Sequence, residues 1–403
     1  AGNATNITDA LGRSLALSYN ARRQLTGTAD ALGHTTARLY TPEGRLYAAV
    51  DALGRTNRFL WTPGGKPAAV IYPDGGVSTN EYDIADRMWA VRDPRGNRIS
   101  FGLDPAGRVT NRMAAAWSDA AWYDAEGCVI ARVDAVSGLT ENGYDNLDRL
   151  VAVTDPMGGG WTNTYDAAGA LTGSRDPRGR ATVYTRDLVG RLAATRYPSG
   201  RIEGNGYDAL GRLTSFTNAE GRVYRMSYDA QGRMLSATNA LGERVFRNLY
   251  DLVGNLTNRV DAASRRTEFK YDALNRLVSR SAESAQSADE FSYDAAGNLL
   301  TASNAASRLA FSYDAMNRLA SSETRVAGQT FGVSYAYDLG GLCTNVTYPG
   351  GLSVRYGYDA DGRVTNVTDW ANHVWTFTRD AAGRLTALAY PNGVTGAWTH
   401  DAR

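Results

Sequence analysis

The sequence predicts an all-β chain: a continuous antiparallel meander of repeats of about 21 residues, two strands each, coiled into a tube, spiral or shell. Three observations carry this. The stretch Tyr207-Asp208-Ala209-Leu210-Gly211-Arg212-Leu213 returns along the whole chain, with Tyr-Asp pairs at 82–83, 123–124, 144–145, 165–166, 207–208, 228–229, 250–251, 271–272, 293–294, 313–314, 337–338 and 358–359. Where the pair is lost the register survives: Asn20, Thr41, Thr62, Asp104, Asp187, Asp380 and Asp401 fall where the next Asp is due. Between the turns, apolar and polar residues alternate with period two, and nothing sustains a helical pattern.

The strand before each Tyr-Asp pair is the clearest element. Tyr224, Met226 and Tyr228 alternate with polar residues, as do Thr267, Phe269 and Tyr271, and Val354, Tyr356 and Tyr358. This is a strand with one buried face. The turn that follows has a mechanism. Asp accepts a backbone N–H, two free residues follow, and the fourth must tolerate φ > 0. That fourth residue is Gly, or Asp86, Asp148, Asn275 or Asn317, the types that best bear a left-handed backbone; Arg23 is the exception. The pattern is a three-residue hairpin closed by a bulge. Arg or Asn then opens the return strand, as in Arg212-Leu213 and Arg363-Val364. A second turn closes the period, reading Asp51-Ala-Leu-Gly54, Asp176-Pro-Arg-Gly179 or Asn218-Ala-Glu-Gly221, with a Tyr-Pro variant at Tyr72, Tyr197, Tyr348 and Tyr390. About nineteen such periods give about 38 strands. The period is disturbed at Ala114-Ala115-Ala116-Trp117 and between Asp272 and Asp338, where residues 281–288 and Ala327-Gly328 read as loops bulging from a rim.

Composition excludes several classes of function. Of 403 residues, 43 are basic and 42 acidic, a net charge of +1, with the basic residues spread once or twice per repeat; this is no nucleic-acid footprint. No apolar run is long enough to span a membrane as a helix. Cys128 and Cys343 occupy strand positions of opposite facing, so no disulfide is expected between them. His34, His373 and His400 have no ligand-spaced partners, so no metal or cofactor is expected. No nucleophile elbow, phosphate loop or dinucleotide fingerprint is present.

Tyr-Asp-x-x-Gly-Arg-Leu followed by a second Gly turn resembles the YD repeat of Rhs-type proteins, over essentially the whole chain. That family takes in bacterial Rhs toxins, shell components of insecticidal toxin complexes, wall-associated bacterial proteins and the animal teneurins. The resemblance implies a β-sheet strip spiralling into a hollow cocoon, exported or on the cell surface, which in the toxins encloses a C-terminal effector. The self-cleaving core segment of the toxins has no counterpart here, since Asp-Pro at 93–94, 104–105, 155–156 and 176–177 falls on regular turns. Residues 1–403 read as one uninterrupted YD-repeat array that begins and stops at the same phase of the repeat, hence as a segment of a longer chain.

The candidate functional residues are structural. Tyr207, Asp208, Gly211, Arg212, Tyr228, Asp229, Gly232, Tyr271, Asp272, Asn275, Tyr358, Asp359 and Gly362 are expected to form turns and ladders, with Asp opening the turn and same-height aromatics stacking along the sheet. The Arg residues (Arg212, Arg233, Arg276, Arg318, Arg363, Arg384) read as solvated edge charges in preference to a row for anionic glycans. The function expected is a structural, non-enzymatic, secreted or surface protein of bacterial type, forming a shell, tube or filament. Its expected partners are its own continuing chain or further copies, met through the terminal strands. The alternatives are the cocoon of a toxin whose effector lies outside this sequence, and a glycan-binding adhesion module.

Overall fold

A computed structural model describes residues 3–115, 117–135, 138–283, 285 and 287–400. Among them, 38 strands belong to one antiparallel sheet, each paired with its neighbour in sequence wherever the register is defined. The regular element besides strands is one 3-10 turn, Pro349–Gly351, on a Tyr-Pro turn.

One period shows how the residues make the sheet. Ile202–Tyr207 runs up to the Tyr-Asp turn, where the Gly211 N–H donates to the Asp208 carbonyl at 3.0 Å and the Asp208 N–H to the Arg212 carbonyl at 3.0 Å. Gly211 has φ 82, and the same position has φ 62 at Asn275 and φ 63 at Arg23. The return strand Leu213–Thr217 pairs Leu213 with Tyr207 and Ser215 with Gly206, so Thr214 is an extra residue and the strand bulges. The second turn, Asn218 to Arg222, closes on the next strand, Val223–Tyr228, without a register shift. The bulge therefore recurs beside the Tyr-Asp turns and adds local twist on that side of the repeats, with one further register shift beside a second turn, between Ala237 and Thr238.

Few side chains are fully covered. Ala48, Ala69, Ala90 and Val346 are the buried apolar residues, and the accessible area is 23683 Å². A compact chain of this mass would expose roughly 15,000 Å². Small residues fill the tightest places: Ala48, Ala69 and Ala90 all stand third in return strands, at 2%, 8% and 0% exposure.

The irregular stretches differ from the expected loops. Leu319–Val326 and Gln329–Tyr337 lengthen to 8 and 9 residues and pair up to Val326–Gln329, joined by Ala327 (φ 48) and Gly328 (φ 78). The extra residues lengthen a hairpin instead of bulging from it. Ala114 and Trp117 close a tight turn, the Ala114 N–H meeting the Trp117 carbonyl at 2.9 Å. Ala116, and Ser284 and Gln286 of the Ser/Ala stretch, lie outside the described residues.

The chain divides into two compact units. The first takes in Ala1–Ser118, Phe269–Ser281 and Ala285–His400; the second is built on Asp119–Glu268. Every strand links the two rims of the strip, one made of Tyr-Asp turns and one of second turns. Within the first unit, second turns from residues 9–117 lie against Tyr-Asp turns from residues 272–363. Arg13 reaches the Asp272 carbonyl and Asn275, 259 and 262 residues away, and Arg55 reaches Asp314 and Asn317 with the same two offsets. Arg95 reaches the Asp359 carbonyl, and the Trp117 indole N–H the Asp361 carboxylate at 2.8 Å. The Ala360–Arg363 turn and Trp117 border a cavity with Arg98 and Ile99 at this contact.

Candidate functional site

The recurring motif builds a network of hydrogen bonds along the Tyr-Asp rim. In the second unit, Asp208 Oδ1 accepts the N–H groups of Leu210 and Arg212 at 2.9 and 3.0 Å, and Oδ2 accepts Arg212 Nε at 2.6 Å. Arg212 does not end there. Its Nη1 donates to the Asp229 backbone carbonyl of the next repeat at 2.6 Å, and its guanidinium lies 5.2 Å over the Tyr228 ring. Arg191, Arg233, Arg276 and Arg318 do the same toward Asp208, Asp251, Asp294 and Asp338, each over the Tyr that precedes that Asp. Of the arginines expected as solvated edge charges, Arg212, Arg233, Arg276 and Arg318 therefore each link two turns, whereas Arg363 pairs with Asp361 and Arg384 with Asp380 of their own turns. The expected aromatic ladder is replaced too. Phe216 and Tyr224 make a ring contact at 6.3 Å, while at Tyr165, Tyr207, Tyr228, Tyr250, Tyr293 and Tyr337 the neighbour of the ring is a guanidinium. Successive Tyr are a full repeat apart, and the Arg side chain spans the gap with a cation over a π face.

The Tyr hydroxyl has its own partner. Tyr228 Oη donates to the Leu213 carbonyl at 2.8 Å, and Tyr207, Tyr250 and Tyr358 to those of Leu192, Met234 and Cys343. Each acceptor is the residue that opens the bulge of the preceding return strand, so these repeats cap the irregularity left by the one before; Leu103 and Arg379, at the same position, are exceptions, the first without a donor and the second donating to the Gly383 carbonyl. Trp61 Nε1 donates to Leu46 and Arg186 Nη2 to Leu171 from the same position, and His400 Nε2 sits 2.7 Å from the Leu385 carbonyl there. The position thus asks for a long side chain with a polar tip, and reading Tyr as a packing residue missed this. A second donor often helps. Asn80, Asn142, Asn163, Asn205 and Asn248, two residues before Tyr, donate Nδ2 to the carbonyl that the Tyr hydroxyl also takes. The sequence signal was the recurring Asn-x-Tyr-Asp.

The rest of the expected residues fall in the same places. Asp229 is the turn partner of Arg233, with Gly232 at φ 84; Tyr271 ends the strand Arg266–Tyr271; Gly362 has φ 79. Asp359 accepts the Asp361 and Arg363 N–H groups. The backbone N–H of Arg212 holds the Asp208 carboxyl below its ordinary value, against burial and together with the guanidinium and the Leu210 N–H. At Asp272 burial is the largest influence and pushes the carboxyl up, but the Arg276 N–H and guanidinium and the Leu274 N–H outweigh it and leave it lowered. Burial pushes the Tyr358 hydroxyl up. His34 and His373 sit in second turns with Nδ1 2.9 Å from Asp30 and Asp369, and both cysteines are free. The described residues hold no group of three or more His, Cys, Asp or Glu side chains placed to hold a metal ion.

Two family models match the sequence, the RHS repeat at residues 1–35, 165–202 and 207–244 and the teneurin YD-shell at 243–387. The chain belongs to the Rhs/YD-repeat family. No curated protein matches it in sequence. Among solved structures, the TcdB2–TccC3–TEV crystal structure superposes with a TM-score of 0.69 at 14% identity, over 94% of this chain and 26% of that one. The Tc holotoxin pore of Photorhabdus luminescens, carrying a TccC3 point variant, gives 0.68 at 14% identity with the same coverage, and TcdB2–TccC3 gives 0.67. The YD-repeat chain described here spans about a quarter of the length of these similar chains. At this identity the likeness is one of fold.

Proposed function

We propose that this chain is a length of structural wall: a non-catalytic YD-repeat strip, exported to or displayed on the surface of a bacterium, that builds a shell or filament. The observation that supports it most is the interlocking of opposite rims in the first unit, where Arg13 and Arg55 dock on turns 262 residues away. A strip whose two rims recognise each other stacks into a wall without any other element. The motif residues serve this role: Tyr207, Asp208, Gly211 and Arg212, and their counterparts Tyr228, Asp229 and Gly232, hold each repeat to the next, while Asp272, Asn275 and Asp359 receive the facing rim. Continuation of the strip, by the same polypeptide or a further copy, proceeds from the edge strands Asn6–Thr8 and Thr395–Ala397.

Electron microscopy of native material tests the reading. Curved walls or filaments are expected, and compact globular particles without a wall would refute it. The second reading is the cocoon of a toxin that encloses an effector, favoured by the fold shared with the TcdB2–TccC3 structures. Protease treatment of native particles separates the two, since an enclosed polypeptide survives digestion only inside a closed shell. A glycan-binding face finds less support, because the Tyr358 hydroxyl is already committed to Cys343.

A further inference from the structure

The rim network has gaps, and their placement carries information. From Asp104 to Asp359, the Arg that should reach the next Asp carbonyl is replaced five times, by Cys128, Ala170, Asn255, Asn298 and Leu342. The carbonyls left without it are those of Asp145, Asp187, Asp272, Asp314 and Asp359. The last three receive a guanidinium from the facing rim instead: Arg13 at 3.1 Å, Arg55 at 3.2 Å and Arg95 at 2.7 Å. Over Asp272 to Asp359, each carbonyl that lacks the Arg of the preceding repeat is thus a docking point.

Asp145 and Asp187, both in the second unit, lack that Arg too. Each carbonyl accepts the N–H that closes its own turn, at 3.0 Å, as every such carbonyl does. Like the docked pair Asp272 and Asp314, they stand two repeats apart. Asp148 holds the left-handed position at φ 57, where the docked turn has Asn275, and adds a carboxylate. Ala170 leaves an open groove lined by Asp166, Tyr184, Arg186 and Asp187. The apolar turn tips along this rim of the second unit are uncovered, Leu210 on the internally filled Asp208 turn included, at 74%. At the docked turns Leu274 and Met316 are partly covered, whereas Leu147 is 69% exposed, Val189 73%, and Leu188 fully so.

The second rim of the same unit presents the complement. Arg180 and Arg222 follow second turns two repeats apart, as Arg13 and Arg55 do, and both are exposed. The Arg180 side chain is 58% exposed, against 15% for docked Arg13 and 14% for docked Arg55. We propose that Arg180 and Arg222 of one copy dock on the Asp145 and Asp187 turns of a second copy. Donor and acceptor lie on opposite rims, so each docked copy leaves one of each free and the association is open-ended. The inference rests on the rim contacts and stands apart from the shell reading, which needs no second copy.

Sedimentation velocity of the full chain over a wide concentration range tests it, with two variant pairs checked for β content by circular dichroism. Wild type is expected to grow beyond a dimer with concentration and to weaken with salt. Cys128→Arg with Ala170→Arg supplies the missing guanidinium within the strip and closes the acceptor sites. Arg180→Glu with Arg222→Glu removes the donors. Each pair alone is expected to weaken association at least tenfold, and a mixture of the two is expected to give a one-to-one dimer that grows no further. A wild type that stays monomeric, association indifferent to both pairs, or a mixture that stays monomeric overturns the proposal. If one pair fails to fold, loss of association in the other still supports it and persistence in the other still overturns it.

Discussion

The rim-to-rim contact in the first unit predicts a measurable coupling between Arg55 and Asn317. The Arg55 side chain is 14% exposed and meets three partners: Asp51 Oδ2, through Nε at 2.7 Å and Nη2 at 2.6 Å, the Asp314 carbonyl through Nη1 at 3.2 Å, and Asn317 Oδ1 through Nη2 at 2.7 Å. A hydrogen bond from a charged donor contributes about 1.5–3 kcal/mol when buried. Here one bond is long and the Asn317 end is exposed, so Arg55→Ala should cost about 2–3 kcal/mol in all. Asn317→Gly removes the acceptor, which also serves Asn298 Nδ2 at 2.6 Å, but relieves a non-glycine residue at φ 61. It should cost about 1 kcal/mol. In the double variant the Arg55–Asn317 bond is lost only once, which leaves a coupling of about 1 kcal/mol. Urea unfolding of the four proteins measures it. The Arg13–Asn275 pair provides a replicate two repeats away, roughly 19 Å along the sheet, where the two cycles should add. A coupling below about 0.3 kcal/mol at both pairs would mean that the rims merely lie side by side, and the docking argument would fall.

Three further outcomes are expected. Tyr228→Phe should cost about 1 kcal/mol more than Tyr207→Phe in thermal or urea unfolding. The reason is that Asn205 still donates to the Leu192 carbonyl, whereas Met226 leaves that of Leu213 without a side-chain donor; equal costs would refute the shared-acceptor account. Acid should unfold the protein cooperatively: the turn carboxyls of Asp51, Asp272 and Asp314 are held below their ordinary value, so their contribution is complete above about pH 4 and lost as pH falls through the lower folded values. A melting temperature that stays flat down to about pH 2 would contradict this. Gly211→Ala places a side chain at φ 82 and should cost about 1–2 kcal/mol, read as a lower urea midpoint with unchanged slope.

The strand and turn plan was legible because it is local. Period-two alternation, an Asp that accepts its own turn, and a residue able to take positive φ are each contained within about seven residues, and repetition averages out exceptions such as Arg23. The linking roles were less so. Tyr and Arg each suit two environments, and composition does not tell a solvated Arg from one that spans to the next repeat. Only geometry shows that Tyr207 reaches 15 residues back and Arg212 17 residues forward. Trp61 and Arg186 were the available clue. They break the Tyr pattern yet keep a donor at the tip, which packing alone does not require.

The rim code was hidden for a different reason. In a repeat protein, a departure from consensus is naturally read as drift, and Asn255, Asn298 and Leu342 are departures of this kind. Their consequence appears only when residues about 260 positions apart are brought together, because each vacated carbonyl is filled from the facing rim. The consensus positions hold one repeat to the next, and the exceptions set where one length of strip meets another. A perfectly regular array would have every carbonyl filled from within and nothing to fix the register between lengths. Irregularity in this strip is therefore what makes the rim-to-rim contact of the first unit specific, and Asn275 and Asn317 belong to it: they satisfy the turn, as Gly would, and add the acceptor that Gly lacks.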